Sequence, residues 1–262
     1  MPLNLGLACA AGITTFLSQI ISWQAAFLIP GVVCILAGTA YTQVSKNVEI
    51  FKQNKNHQKQ KPFNKSQLKR IFISIAIIAC FGGLVFQSLT TALPKIIDAS
   101  MGTSISMAGL VSTAIFILAA TGQLIIGELL DRASAKTLLL CVTLAQVCFL
   151  ILAPLASGWL LIIILTALIS STYLQIPIND WLTGHYASSQ WRSRAYAIKY
   201  MISFSTAPAA YWLTASVYGK TGEFTWLYWV LAAGMLFSIL SAWYIPVISR
   251  HSEAKSCNES LA

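Results

Sequence analysis

The chain is short of charge. Its 262 residues carry 17 basic and 8 acidic side chains, 10% of the total, where a soluble domain carries roughly a quarter. So few charges cannot coat a soluble protein of this length, which argues against an ordinary cytoplasmic enzyme. Acid is scarcest, and no acidic residue falls in the middle of an apolar run. No buried carboxylate pair is therefore set up for acid–base work. Histidine is limited to His57, His185 and His251, in loops or the tail, which argues against a haem or metal site within the apolar runs. HExxH, GxSxG and P-loop motifs are missing. These gaps disfavour a multi-span membrane enzyme, whose activity would have to rest on His185 and Asp180. No cofactor is implied.

Cysteine is present but unpaired in pattern. There are six and no CxxC, so a secreted disulfide scaffold is excluded. Cys9, Cys34, Cys80, Cys141 and Cys148 lie in apolar runs, where they read as small hydrophobic residues. The N-terminal Met1-Pro-Leu-Asn4 has no basic n-region, so it does not read as a cleaved signal peptide.

What the chain has is apolar length: 56% of its residues are hydrophobic. Eight apolar stretches fall at about 3–20, 23–44, 71–93, 106–127, 137–155, 158–179, 195–217 and 225–248. Each is long enough for a tilted helix to cross a bilayer. A membrane β-barrel would show alternating runs of about ten residues instead. The expected fold class is all-α, a polytopic membrane helix bundle with eight transmembrane helices.

Orientation follows from the basic residues near helix ends. With eight spans both termini share a side. That side holds Lys46, Lys52, Lys55, Lys59, Lys61, Lys65, Lys69, Arg70, Arg132, Lys136, Arg192, Arg194, Arg250 and Lys255. The other side holds Lys95 and Lys220. Both termini and the 45–70 loop are thus expected in the cytoplasm. That loop carries most of the net charge of +9. It reads as a linker marked for the cytoplasm, or as a contact for anionic lipid headgroups at about 1 kcal/mol per basic residue. No aromatic interleaving or recognition motif accompanies the charge, so nucleic-acid binding is not expected.

Within the spans, Ser106, Thr113, Ala120 and Gly127 recur every seven residues on one helix face, a stripe suited to close helix packing in lipid. A second small face runs through Lys199, Ser203, Ala207, Ala210 and Thr214. An intramembrane charge is costly and faces a cavity or a partner. Lys199 lies five residues past Arg194, about one and a half turns. It therefore reads either as snorkelling or structurally paired, or as a substrate or ion ligand. Pro94, Pro154, Pro177, Pro208 and Pro246 lie in or at the ends of spans, where each one inside a helix bends it and frees a carbonyl.

The loop Gly127-Glu-Leu-Leu-Asp131-Arg132-Ala-Ser-Ala-Lys136 resembles the G-x-L-x-D-R-x-G-R-R/K signature of the major facilitator superfamily. Ser134 and Ala135 replace its second glycine and following arginine. Residues 22–31, Ser-Trp-Gln-Ala-Ala-Phe-Leu-Ile-Pro-Gly, are similar to the start of the family's sixth helix. Arg194-Ala-Tyr196 is similar to the start of its eleventh. The resemblance covers essentially the whole chain and implies a partial facilitator fold spanning helices five to twelve, with helices one to four absent. It assigns 1–44 to the last two helices of the N-terminal half and 45–70 to the central loop. It assigns 71–248 to the six-helix C-terminal half and 249–262 to a cytoplasmic tail.

The function this implies is secondary active transport of a small solute across the inner membrane by alternating access, with protons as coupling ion and lipids around it. The partner would be the missing N-terminal helices of the same transporter. The other reading is a non-transporting remnant or membrane scaffold. From the family's cavity, the expected solute ligands are Gln87, Thr90 and Thr91 on the third stretch and Tyr173, Gln175 and Asn179 on the sixth. Lys199, Tyr200 and Ser203 on the seventh complete the set. Lacking an intramembrane carboxylate, the chain is expected to leave the coupling proton site to the missing half. The signature implies a conformational latch of Gly127, Asp131, Arg132 and Lys136, in which Asp131 meets the start of the first stretch. The same residues also read simply as a turn.

Overall fold

A computed structural model describes residues 22, 24–47, 65–102, 104–188 and 191–245. The first expected span, most of the 45–70 segment and the 249–262 tail lie outside the described residues. The chain divides into two compact units, 1–62 and 63–262. Among the described residues the secondary structure is helical, and no strand occurs.

In the first unit, α1 spans Ala25–Asn47. Ser22 opens it, its hydroxyl accepting from the Ala25 N–H at 3.3 Å, in the manner of a helix-capping serine. Pro30 lies inside it. Thr39 and Thr42 bond their hydroxyls back to the carbonyls of Leu36 and Thr39, so the helix hides its own polar groups.

The second unit runs α2 (Lys65–Met101), α3 (Ile105–Arg132), α4 (Ala135–Leu152), a 3₁₀ turn (Ala153–Leu155), α5 (Gly158–Tyr186), α6 (Arg192–Ser205), α7 (Ala207–Thr221) and α8 (Thr225–Trp243). Among the described residues, five of these segments are long and apolar enough to cross a membrane: Leu68–Met101, Met107–Leu130, Ala135–Leu155, Gly158–Tyr186 and Thr225–Trp243. The helical state satisfies every internal backbone group without water, which is what an apolar environment demands.

Helix α2 is the axis of the unit, packing against α3, α5, α6, α7 and α8. On the far side α4 packs against α5 and α8. An apolar cluster around Ile71, Ile75, Ile78, Leu139, Ile178 and Leu182 ties α2, α4 and α5 together near the signature turn. Outward, Leu110, Ile163, Trp212 and Leu240 are exposed, a surface that a water-soluble monomer would not tolerate at this extent.

Three expectations shift. The third stretch begins at Lys65 rather than 71 and runs to Met101 rather than 93, because Lys65-Ser-Gln-Leu-Lys-Arg contains no helix breaker. At 37 residues the helix is about 55 Å long, more than the roughly 30 Å of a hydrocarbon core. The sixth stretch, expected to end at 179, continues to Tyr186, which draws Asp180 into the helix. The seventh stretch is two helices. Pro208 has no N–H to give, and the chain breaks at Thr206 between α6 and α7. There the Thr206 hydroxyl donates to the Ser203 carbonyl at 2.6 Å.

Candidate functional site

The expected solute ligands fall into separate places. On α2, Gln87 Oε1 accepts from the Tyr211 hydroxyl of α7 at 3.4 Å. The Thr90 hydroxyl is spent on the Phe86 carbonyl at 2.7 Å, and Thr91 is exposed. On α5, Tyr173 is fully buried, its ring 5.6 Å from that of Phe86 and 6.2 Å from that of Phe116. Gln175 and Asn179 are also buried and, four residues apart, share a helix face. Gln175 Oε1 accepts from Gln146 Nε2 of α4 at 3.1 Å. It also fills the space beside Gly82 of α2, where an added Cβ would stand 3.2 Å from it.

Pro177 explains one contact from the residues alone. A proline at 177 cannot donate to the carbonyl four residues before it, that of Tyr173. That carbonyl instead accepts from Gln123 Nε2 of α3 at 2.8 Å. A buried amide thus closes the gap the proline opens, and α3 is stitched to α5 at that level.

The third group is ionic. Lys199 of α6 is 6% exposed and its ammonium pairs with Asp180 Oδ1 of α5. The Tyr200 hydroxyl donates to the same carboxylate, 3.1 Å from Oδ1 and 3.0 Å from Oδ2. The Tyr196 hydroxyl donates to the Asp180 backbone carbonyl at 2.7 Å. It occupies the notch at Gly184, where a Cβ would come within 2.6 Å of it. Residues 196, 199 and 200 are spaced to share one face of α6. Lys199 is therefore buried and paired, not extended to an interface. Ser203, one turn on, sits in the crossing of α6 over Gly83 of α2.

Asp180, Tyr196, Gln123 and Gln146 are not among the expected solute ligands. Asp180 lies past the expected end of its span at 179, and its partner is 19 positions away, so no local spacing announces the pair. The signal available was the repeat of Tyr196, Lys199 and Tyr200 on one face.

The signature turn is built from local parts. Ser134, standing where the signature has glycine, caps α4: its hydroxyl accepts from the Thr137 N–H at 3.2 Å. Arg132 reaches back one turn to Glu128, 2.5 Å away, both side chains well exposed. A pair so exposed contributes about 0–1 kcal/mol. Lys136 donates to the Trp243 carbonyl at 2.8 Å, placing a positive charge at the C-terminus of α8, where the helix dipole favours it. Gly127 has open space around it. Asp131 lies on the last turn of α3, and its side chain and the start of the first stretch lie outside what the structure describes. Among the described residues no group of three metal-ligating side chains occurs.

The sequence model of the Major Facilitator Superfamily matches residues 1–99 and 75–260, nearly the whole chain. The chain belongs to the major facilitator superfamily. It is thus an integral membrane protein of a family of transporters. The facilitator's fold class is the expected one, an all-α membrane bundle. No curated protein matches the sequence.

Proposed function

We propose that the chain is the C-terminal portion of a facilitator-type secondary transporter that moves a small solute across the inner membrane by alternating access. Family membership over both matched stretches carries this reading. In it, residues 1–44 supply the last two helices of the N-terminal half, 45–70 the basic cytoplasmic loop, 71–248 the C-terminal half and 249–262 a tail. The preponderance of lysine and arginine on one side supports cytoplasmic termini.

The solute path runs beside Lys199 and Tyr200 on α6 and Gln87 on α2. Buried Tyr173, Gln175 and Asn179 back this path and hold α5 in place. The signature turn, with Arg132 and Lys136, acts at the cytoplasmic end as the two access states exchange. Coupling is to the proton gradient. The chain is a carrier, not an enzyme. The test is reconstitution in proteoliposomes under an imposed proton gradient, with a panel of labelled organic anions, cations and neutral metabolites. Accumulation of one class that collapses with an uncoupler is the expected result. No movement of any solute, with or without a gradient, overturns the reading.

A further inference from the structure

We propose that α6 carries a receptor for a small monocarboxylate and that Asp180 of α5 occupies this receptor in the present conformation. The inference rests on the transporter reading and adds to it the chemical class of the solute. Among the described residues, every donor on the Asp180 carboxylate comes from two adjacent residues of α6. The Lys199 ammonium takes one oxygen, and the Tyr200 hydroxyl lies 3.1 and 3.0 Å from the two. An ammonium beside a phenol hydroxyl is a complement for one carboxylate, with one positive charge and donors to both oxygens.

The protein's own carboxylate is removable without undocking α6. Tyr196 holds α6 to α5 through the Asp180 backbone carbonyl at 2.7 Å and through the notch at Gly184, neither of which uses the Asp180 side chain. Exposure sets the direction of entry. The Lys199 side chain is 7% exposed and that of Asp180 27%. A solute therefore reaches the ammonium by taking the position of the Asp180 carboxylate, which swings to its open side. Exchange of one carboxylate for another conserves the charge facing Lys199. A cation meets the ammonium unfavourably, and a dianion brings more charge than the site neutralises.

An internal competitor lowers apparent affinity by the fraction of time it fills the site. Removing it raises affinity by that factor. The test uses the purified full-length chain with benzoate, and with sulfate as the comparison dianion, read by thermal stabilisation and by intrinsic tryptophan fluorescence, Trp181 standing next to Asp180 in sequence. Benzoate is expected to bind Asp180→Asn about tenfold or more tightly than the parent, and sulfate to bind neither. Lys199→Gln in either background is expected to abolish binding, while Lys199→Arg retains it. The neutral double variant Asp180→Asn/Lys199→Gln checks that loss of binding is not loss of fold. Asp180→Ser, which also removes the competing carboxylate, serves if Asp180→Asn does not fold, and Tyr200→Phe in either competitor-free background is expected to weaken benzoate binding several-fold. Equal affinity in Asp180→Asn and the parent, or binding that survives Lys199→Gln, overturns the receptor. A chain that binds benzoate by these rules yet moves no solute keeps the receptor and loses the transport reading. A chain that transports with kinetics indifferent to Lys199 does the reverse.

Discussion

Gln123 completes the helix that Pro177 interrupts. The Gln123 amide, carried on α3, donates at 2.8 Å to the Tyr173 carbonyl, the one acceptor in α5 that a proline at 177 leaves without its usual donor. The site is buried, so removing the amide strands a carbonyl in an apolar interior. Gln123→Leu is expected to cost about 1–3 kcal/mol, read as a lower unfolding temperature in detergent. In a Pro177→Ala background the new N–H takes the carbonyl, and the same substitution should cost far less. Equal penalties in the two backgrounds would show that the bond does not compensate for the proline.

That pair also shows what the sequence makes legible. Apolar run lengths place the spans, because hydrocarbon thickness fixes helix length. Pro177 and Pro208 are visible as sites of freed carbonyls, yet sequence does not say how each is resolved. Pro208 ends a helix at Thr206, whereas Pro177 is absorbed because Gln123 lies opposite. Periodicity likewise places Lys199 on a small face. Its counter-ion, Asp180, sits on another helix beyond a turn, where only tertiary packing brings them together. The substitution of Ser134 for the signature's glycine reads as a weakened motif in sequence, but in the fold it is a helix cap.

The Lys199–Asp180 pair predicts a distinctive stability cycle. Breaking a fully buried pair from one side costs about 3–5 kcal/mol, whereas replacing both partners is often nearly neutral; with the Asp180 side chain 27% exposed, the one-sided cost here falls below that range. Lys199→Gln and Asp180→Asn should therefore each be destabilising, and Asp180→Asn/Lys199→Gln close to the parent. Thermal unfolding of the four proteins gives the coupling energy directly. Additive penalties would place the two groups in separate, solvated environments.

Gly83 lies where α2 and α6 cross. A Cβ there would stand 2.6 Å from the Ser203 carbonyl oxygen and 2.7 Å from its hydroxyl, so even alanine forces backbone apart from backbone. Gly83→Ala should lose about 1–3 kcal/mol through overpacking, and Gly83→Val should lose more. Gly127, inside α3 with nothing within 4 Å of its added Cβ, is the internal control: Gly127→Ala should hold or raise the unfolding temperature, gaining up to about 1 kcal/mol of helix propensity. Matching losses at the two glycines would remove the crossing as the cause.

Lys136 links the signature turn to the end of the bundle. It donates to the Trp243 carbonyl at 2.8 Å, a main-chain acceptor left over at the C-terminus of α8. Its charge also opposes the negative end of that helix's dipole, a contribution of about 0.3–1 kcal/mol at an accessible site. Lys136→Met keeps the aliphatic stem and loses donor and charge, so it should destabilise by about that amount. Lys136→Arg should be nearly silent. The dipole part is screened by salt, so the gap between parent and Lys136→Met should narrow between low and high ionic strength while the hydrogen-bond part remains. Unfolding temperatures at two salt concentrations decide the matter. A gap that is absent at low salt would reduce Lys136 to a surface charge, and the link from this turn to α8 would go with it.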